Sequence, residues 1–312
     1  RPHAEEEALK NIKRISNDMI MYLTFEPCNH KSKYTSCVDM IIKSGIKNIF
    51  IAAEDPDLRT KFKSLNKLIK NHINVNFGLT KNITYLNNRF FYINKKLNRS
   101  YIKYKLAVSK DLKIAKFNYE SKWISNKLSR KYSHSIRYVS DAILTTYNTV
   151  KYDNPKLTIR FGEKDLYKNS IIILDSKLDI NINSNLIKSS KKRRIIIFTM
   201  ANNLKKIKIL KLLKCEVYLF KKSKYFDIKK LVKKTYDLGI YNILIEAGGK
   251  LFTNMYNNGI IDEFHLFKSP KKIGNKGIPM YLSKKNFSFN KLNKHLIHKK
   301  IFIKDSYFQY LL

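Results

Sequence analysis

Cysteine is scarce in this chain, three residues in 312, too few for a disulfide framework to staple a fold. With two of the three in a metal-ligand pattern, cysteine usage points to a reducing, cytoplasmic compartment. No uninterrupted apolar stretch approaches the roughly 18–20 residues that a membrane-spanning helix requires. Nor do the first residues read as a signal peptide, so no membrane partner is expected. Acidic residues number 24 against 63 basic ones, for a formal net charge of +39. That balance ordinarily suggests nucleic acid or an anionic membrane surface. Arginine, however, occurs at only ten positions, and lysine supplies the other 53 positive charges. Glycine (nine) and tryptophan (one) are low where lysine, asparagine, isoleucine and tyrosine are high, the set that AT-rich codons encode. The lysines are scattered, and the one compact basic run, Lys191-Lys192-Arg193-Arg194, leads into an apolar strand pattern. No specific nucleic-acid partner is expected, only weak, salt-sensitive attraction to polyanions.

The chain does have a compact set of metal donors. Pro2-His3-Ala4-Glu5 opens a helical stretch, and after an apolar run comes Glu26-Pro27-Cys28, with eight residues between Cys28 and Cys37. A His or a Cys alone reads as an ordinary terminus or a small buried residue. One His, two Cys and a Glu two residues after the His form, as an ordered set, the signature of zinc-dependent nucleobase deaminases. Two thiolates and an imidazole hold the metal and leave the fourth position to water, and Glu5 is the proton carrier. Met19–Phe25 reads as a buried strand delivering Cys28. Cys37 to Ile42 reads as a helix stopped by Gly45, with Cys37 at the N-terminus, where the helix dipole favours a thiolate.

In the second half, β-branched runs (Ile171 to Leu174, Arg194 to Thr199, Asn242 to Glu246, Glu263 to Phe267) alternate with segments of helical period (Ser125 to Tyr138, Asp227 to Leu238, Leu251 to Asn257). That is the pattern of an α/β sheet. The turn Glu246-Ala247-Gly248-Gly249-Lys250-Leu251 follows a strand and opens a helix, so its N–H groups can face a phosphate. Arg137 and Arg160 draw notice because the chain so rarely uses arginine, whose fork recognises phosphate oxygens as lysine cannot. At 312 residues and 44% hydrophobic the chain can bury two cores. The boundary is expected between Asn87 and Asn98, giving domains over 1–92 and 98–312.

The eight-residue cysteine spacing, with His30 after Glu26-Pro27-Cys28 and Asp55-Pro56-Asp57 after the next strand, resembles the deaminase domain of the bifunctional riboflavin-biosynthesis deaminase/reductase family. Cytidine and tRNA-adenosine deaminases have Cys-x-x-Cys instead. Asp57 replaces the family's Asn, and Ser32 and Lys33 stand where it has Gly-Arg. The resemblance continues through Lys105 to Asp111 (KLAVSKD), Glu120 to Ile124 (ESKWI), Arg130, His134 and Arg137 at helical spacing, and Thr149 to Arg160 (TVKYDNPKLTIR). Leu174-Asp175-Ser176, Glu246 to Leu251 (EAGGKL), Gly259 to Glu263 (GIIDE) and Pro270 to Gly274 (PKKIG) follow in order.

The resemblance implies an α/β chain with a cytidine-deaminase-like zinc domain followed by a dihydrofolate-reductase-like domain. It implies Zn²⁺ on His3, Cys28 and Cys37, and NADPH lined by Ala107, Trp123, Thr149, Asp153, Ser176, Gly248, Gly249, Lys250, Leu251, Phe252, Thr253 and Asn254. The substrate, a phosphorylated pyrimidine, would meet Ser121, Arg137, Leu157, Arg160 and Glu246, with the arginines on its 5′-phosphate. Glu5, Lys105, Asp153 and Glu246 would handle protons. A homo-oligomer is expected. By the same resemblance, a helix and two strands of the deaminase domain would stand upstream of Arg1. Phe62, Ser64 and Leu112 occupy family glycine positions, and each would cost about 1 kcal/mol where φ must be positive. Two other readings differ in class. One is a decayed protein: either a non-catalytic binding protein, opposed by Glu5, Arg137, Arg160 and Glu246 standing at their motif positions, or a reductase only, with a non-functional deaminase remnant. The other is a nucleic-acid cytidine or adenosine deaminase, opposed by the cysteine spacing and the second-half motifs.

Overall fold

The apolar runs become strands and the segments of helical period become helices, in two units, Arg1–Asn98 and Arg99–Leu312. The computed structural model describes residues 3–12, 14–16, 18–29, 35–57, 59–118, 124–162, 164–283 and 287–312. Trp123, Ser121, His30, Ser32 and Lys33 lie outside the described residues.

In the first unit β1 (Ile20–Phe25), β2 (Asn48–Ala53) and β3 (Asn74–Phe77) lie parallel in that order. Its helices are α1 (Ala4–Lys10), α2 (Cys37–Ser44), α3 (Lys63–Lys70), α4 (Lys81–Asn87) and α5 (Arg89–Leu97). Parallel neighbours need crossovers, and α2 and α3 supply them. The Ser36 hydroxyl accepts from the Asp39 N–H at the start of α2, and Gly45 ends the helix at φ 85°, where the sequence places the stop. Val38 and Ile41 pack with Ile49, Ile51 and Leu68.

Two expectations change here, that of a buried β1 and that of a left-handed Ser64. β1 is not a buried strand: among the described residues it pairs only with β2, and Tyr22 is 72% exposed, stacked on Phe50. An edge strand covered on one face alternates, however apolar its sequence. The polar stretch in which the boundary was expected is largely helical, α5 packing Phe91 and Tyr92 against Phe25 and ending at a left-handed Asn98, and the two units divide just after it. Of the three glycine replacements, Phe62 (φ 58°) and Leu112 (φ 61°) do sit in the left-handed region. Ser64 is an ordinary buried residue of α3.

The strands of the second unit are β4 (Tyr101–Val108), β5 (Lys113–Ala115), β6 (Ala142–Thr146), β7 (Ile159–Arg160), β8 (Asp165–Leu166), β9 (Ser170–Leu174), β10 (Ile195–Thr199), β11 (Cys215–Leu219), β12 (Asn242–Ile245), β13 (Glu263–Lys268), β14 (Ile278–Pro279), β15 (Leu296–Phe302) and β16 (Asp305–Leu311). The helices are α6 (Lys127–Tyr138), α7 (Tyr147–Asp153), α8 (Asn185–Lys188), α9 (Leu204–Leu212), α10 (Ile228–Asp237), α11 (Gly249–Asn257) and α12 (Phe289–Asn293). Nine strands form one sheet in the order β11-β10-β9-β6-β12-β4-β13-β16-β15. All are parallel through β13, and the last two run antiparallel.

One face of this sheet packs Tyr104, Leu106, Leu144 and Phe264 on Leu231, Phe252 and Met255 of α10 and α11. The other packs Ile143, Ile171 and Ile197 on Leu186 and Leu210, and Leu244 and Phe267 on Ile136 of α6. Both faces being covered, the central strands read as continuous apolar runs. At the margin, β15 is exposed at every position but Phe302. The chain runs from β4 through α6 to β6 and later returns to insert β12 between them. Their carboxyl ends therefore share one edge, where sheets of this kind bind ligands. Among the described residues no helix is long and apolar enough to cross a membrane.

The Gly248-Gly249 turn has an asymmetry that the motif alone does not reveal. A Cβ on Gly249 would lie 2.6 Å from the Pro279 carbonyl oxygen and 2.7 Å from that of Met280, whereas one on Gly248 would meet only Ile114 Cδ1 at 3.8 Å. Gly249→Ala should therefore destabilise this unit by about 1–3 kcal/mol, and Gly248→Ala by clearly less. Urea unfolding of the two variants checks this, and equal losses would contradict it.

Candidate active sites

In the first unit the three donors predicted from sequence converge. The His3 ring, Cys28 Sγ and Cys37 Sγ lie within 4.8 Å of one another, with Cys37 Sγ 3.2 Å from His3 Nδ1. Tetrahedral zinc, with Zn–S of ~2.3 Å and Zn–N of ~2.0 Å, places such ligands roughly 3.5–3.8 Å apart. The donor set fits that metal. The Cys37 N–H donates to Cys28 Sγ at 3.3 Å. Burial, and then the neighbouring Cys28, push the Cys37 thiol up. Cys37 does open α2, as the sequence places it, and with burial and a second sulfur beside it a cation is what this pair calls for. Glu5 is half-buried in the first turn of α1, and its charge acts on Cys37. Glu26 is 3% exposed and accepts from the N–H groups of Asp55 (3.3 Å) and Phe62 (2.9 Å), so it ties the strand end before Cys28 to the loop after β2. Burial pushes its carboxyl up.

In the second unit Lys105, Arg137 and Glu246 come together from β4, α6 and the end of β12. Glu246 receives Arg137 Nε at 2.5 Å and Nη2 at 3.0 Å, and Lys105 Nζ lies 3.9 Å away. Burial drives the Glu246 carboxyl up, but Arg137 and then Lys105 overcome this and hold it at about 2. For Lys105, burial prevails over Glu246 and its ammonium is held less tightly protonated than usual.

Arginine scarcity is a poorer guide to phosphate than expected. The Arg137 fork is engaged within the fold, its Nη1 donating to the Thr158 carbonyl at 2.7 Å. Arg99 and Arg194 likewise clamp Asp262 and Glu216. Within the basic run, Arg193 is buried against the Leu157 and Lys156 carbonyls and Ser189, and burial pulls it down to about 10. Carboxylates and carbonyls match a guanidinium as well as phosphate does. Arg160, by contrast, is exposed, and its guanidinium makes no hydrogen bond or ion pair among the described residues.

Ala107, half-buried, lies near the carboxyl end of β4, and Thr149 opens onto the same edge beside Thr146, at 3.3 Å between hydroxyls. Ser176 is exposed just past β9, and Asp153 is exposed at the last position of α7. Leu157 is buried with φ 48°. In the first turn of α11 the Phe252 N–H already bonds the Gly248 carbonyl. The Phe252 ring is fully buried, and Thr253 is turned inward to the Gly249 carbonyl and the Leu282 N–H. Side chains of Phe252 and Thr253 thus belong to the core, while the N–H groups of Gly249, Lys250 and Leu251, in the first turn of the helix, are left for a ligand. The helical spacing of Arg130, His134 and Arg137 was visible in sequence, but not that His134 Nδ1 would take the Arg160 N–H at 3.2 Å.

Residues 100–301 match the family model of the RibD C-terminal domain, and residues 1–53 match that of the cytidine and deoxycytidylate deaminase zinc-binding region. The chain belongs to the RibD family. The riboflavin biosynthesis protein RibD of Aquifex aeolicus is 34% identical over 278 residues, spanning 88% of this chain and 75% of its own length. That of Buchnera aphidicola is 32% identical over 292 residues, 89% and 77% of the two chains. The solved diaminohydroxyphosphoribosylaminopyrimidine deaminase/5-amino-6-(5-phosphoribosylamino)uracil reductase of Thermotoga maritima superposes with a TM-score of 0.80 at 26% identity, covering all of this chain and 85% of that one. Acinetobacter baumannii RibD shares the fold at a TM-score of 0.85 and 22% identity. As a member of that family, the chain is a bifunctional riboflavin-pathway enzyme, a zinc hydrolase joined to an NADPH-dependent oxidoreductase that acts on a small molecule. Neither a reductase-only chain nor a nucleic-acid deaminase is the better reading.

The ion-paired Glu246 makes the chain sensitive to acid. A free glutamate titrates near ~4.3, whereas this one does so at about 2 when folded. Its contribution is complete above the unfolded value and disappears as pH falls toward the folded one, on the order of 3 kcal/mol in all. Glu246→Gln should flatten the stability slope in that interval and lower neutral-pH stability by about 3–5 kcal/mol, since two cations lose their counter-charge. Urea unfolding across that pH interval measures both, and an unchanged acid slope would count against the ion pair.

Proposed function

We propose that the unit ending at Asn98 deaminates 2,5-diamino-6-ribosylamino-4(3H)-pyrimidinone 5′-phosphate, and that the unit from Arg99 reduces the ribosyl group of the product to ribityl. The convergence of His3, Cys28 and Cys37 within 4.8 Å is the observation that carries the first half. Those three would hold zinc, which supplies a bound water that ionises near neutral pH. Glu5 would carry one proton of the attacking water to the ring nitrogen and the other to the departing amine. The C2 amine leaves as ammonia and the water's oxygen remains as a carbonyl. Glu26 keeps the loop of Asp55 and Asp57 in place beside Cys28.

NADPH supplies the hydride, which goes to C1 of the ribosyl group. The N–H groups of Gly249, Lys250 and Leu251 would receive its phosphates. Ala107, Thr149, Asp153, Ser176, the α11 turn through Asn254, and Trp123 would line the rest. Ser121, Leu157, Arg160, Arg137 and Glu246 would meet the substrate, with Arg160 reaching the 5′-phosphate and Arg137 holding Glu246. Between the candidates for proton handling, the site favours Lys105. Its ammonium is loosened by burial, while Glu246 stays ionised down to about 2 and can only accept. We also place the enzyme in the cytoplasm as a homo-oligomer.

Metal analysis of the folded protein should find one zinc per chain, retained in Glu5→Gln, while ammonia release falls about 10²–10⁴-fold. Folded protein without zinc, or a Glu5→Gln variant of full activity, would refute the deaminase assignment. For the reductase, Arg160→Lys should raise the KM for the phosphorylated substrate and leave the KM for NADPH in place, because a point charge cannot reproduce a planar fork. Unchanged steady-state kinetics would remove Arg160 from the site.

A further inference from the structure

The segment from Lys156 to Arg160 would carry the substrate's phosphate ligand, yet it has almost no sheet to hold it. β7 is two residues long and pairs only with the two-residue β8, and Leu157 sits at φ 48°. Side chains do the holding instead. The buried Arg193 donates to the carbonyls of Lys156 and Leu157, Arg137 donates to that of Thr158 at 2.7 Å, and the Thr158 hydroxyl donates to Asp165 at 2.8 Å. An imidazole completes the hold: His134 Nδ1 lies 3.2 Å from the Arg160 N–H nitrogen and 3.2 Å from the Thr158 carbonyl oxygen.

We infer that His134 is a positioning residue of the reductase: its imidazole fixes the Arg160 backbone and so sets where that guanidinium meets the phosphate. His134 and Arg137 stand three residues apart on α6, hence on one face of the helix, and they grip the same segment at two points. With the ring hydrogen on Nε2, Nδ1 accepts from the Arg160 N–H; with it on Nδ1, the ring donates to the Thr158 carbonyl, also at 3.2 Å, and in both tautomers it grips the same segment. The ring suits that role. It is 7% exposed, and burial, then repulsion from Arg137 and Arg160, push it down to about 4, so it is neutral at physiological pH. The inference rests on the reading of Arg160 given above, but the hold on the backbone can be measured separately.

The test uses the full chain with His134→Phe, which removes the acceptor, and His134→Asn, whose Oδ1 can stand where Nδ1 stands. Steady-state reduction of the deaminated, phosphorylated substrate is followed by NADPH absorbance. Amide hydrogen exchange is followed in the peptide containing Arg160. His134→Phe should raise the KM for the pyrimidine substrate roughly tenfold, the size of effect expected when one buried donor loses its partner. The KM for NADPH should stay near wild type, exchange at Arg160 should quicken, and His134→Asn should recover most of both effects. Equal losses in the two variants, or a parallel rise in the KM for NADPH, would indicate general packing and overturn the inference, as would an unchanged KM in His134→Phe. Arg160→Lys separates the two claims. If it leaves the KM unchanged while His134→Phe still quickens exchange, the phosphate reading of Arg160 is what fails. If it raises the KM and His134→Phe does not, the positioning role is what fails.

Discussion

A carboxylate buried beneath a sheet needs its countercharges brought to it, and much of the second unit is arranged around meeting that need at Glu246. Its position at the end of β12 follows from the topology, because β12 enters between β4 and β6 after most of the sheet has been laid down. Lys105 comes from β4 and Arg137 from α6, so three elements far apart in sequence meet on one charge. The consequence passes outward. Once Arg137 is committed to Glu246, the register of α6 is set. The same helix then reaches the segment 157–160 through a second nitrogen of Arg137 and through His134. Charge compensation in the core thus fixes the geometry of a segment at the surface.

The first unit solves a related problem with different atoms. Glu26 is a buried acceptor answered by main-chain N–H groups rather than cations, and its carboxyl is pushed up rather than down. Cys37 is likewise pushed up, in a pair of sulfurs that a cation would relieve. The difference follows from what is brought near: backbone dipoles hold a loop, whereas full charges anchor a helix.

Much of this was legible in the residues, and the pattern of success has a physical reason. Metal donors are legible because zinc accepts few atom types, so His3, Cys28 and Cys37 could hardly be replaced and still be recognised. The α/β pattern is legible because both faces of the central sheet are covered, which leaves continuous β-branched runs. The errors came where one residue type serves two environments. An apolar Met19–Phe25 reads the same for an edge strand as for a central one. Arg137 carries a fork that fits a carboxylate or a carbonyl as readily as a phosphate, and only the packing decides which.

The margin of the large sheet bears on how this protein behaves in company. A strand exposed along nearly its whole length offers unpaired N–H and C=O groups to any extended chain, the usual route to edge-to-edge aggregation. β15 carries Lys299 and Lys300, and its pairing with β16 slips between Leu296 and His298. Both features discourage a flat, neutral approach by another strand. The surplus of lysine that names no ligand therefore has a colloidal consequence. Copies of this chain repel one another at low ionic strength, and that protection weakens as salt shortens the reach of the charges to about 8–10 Å.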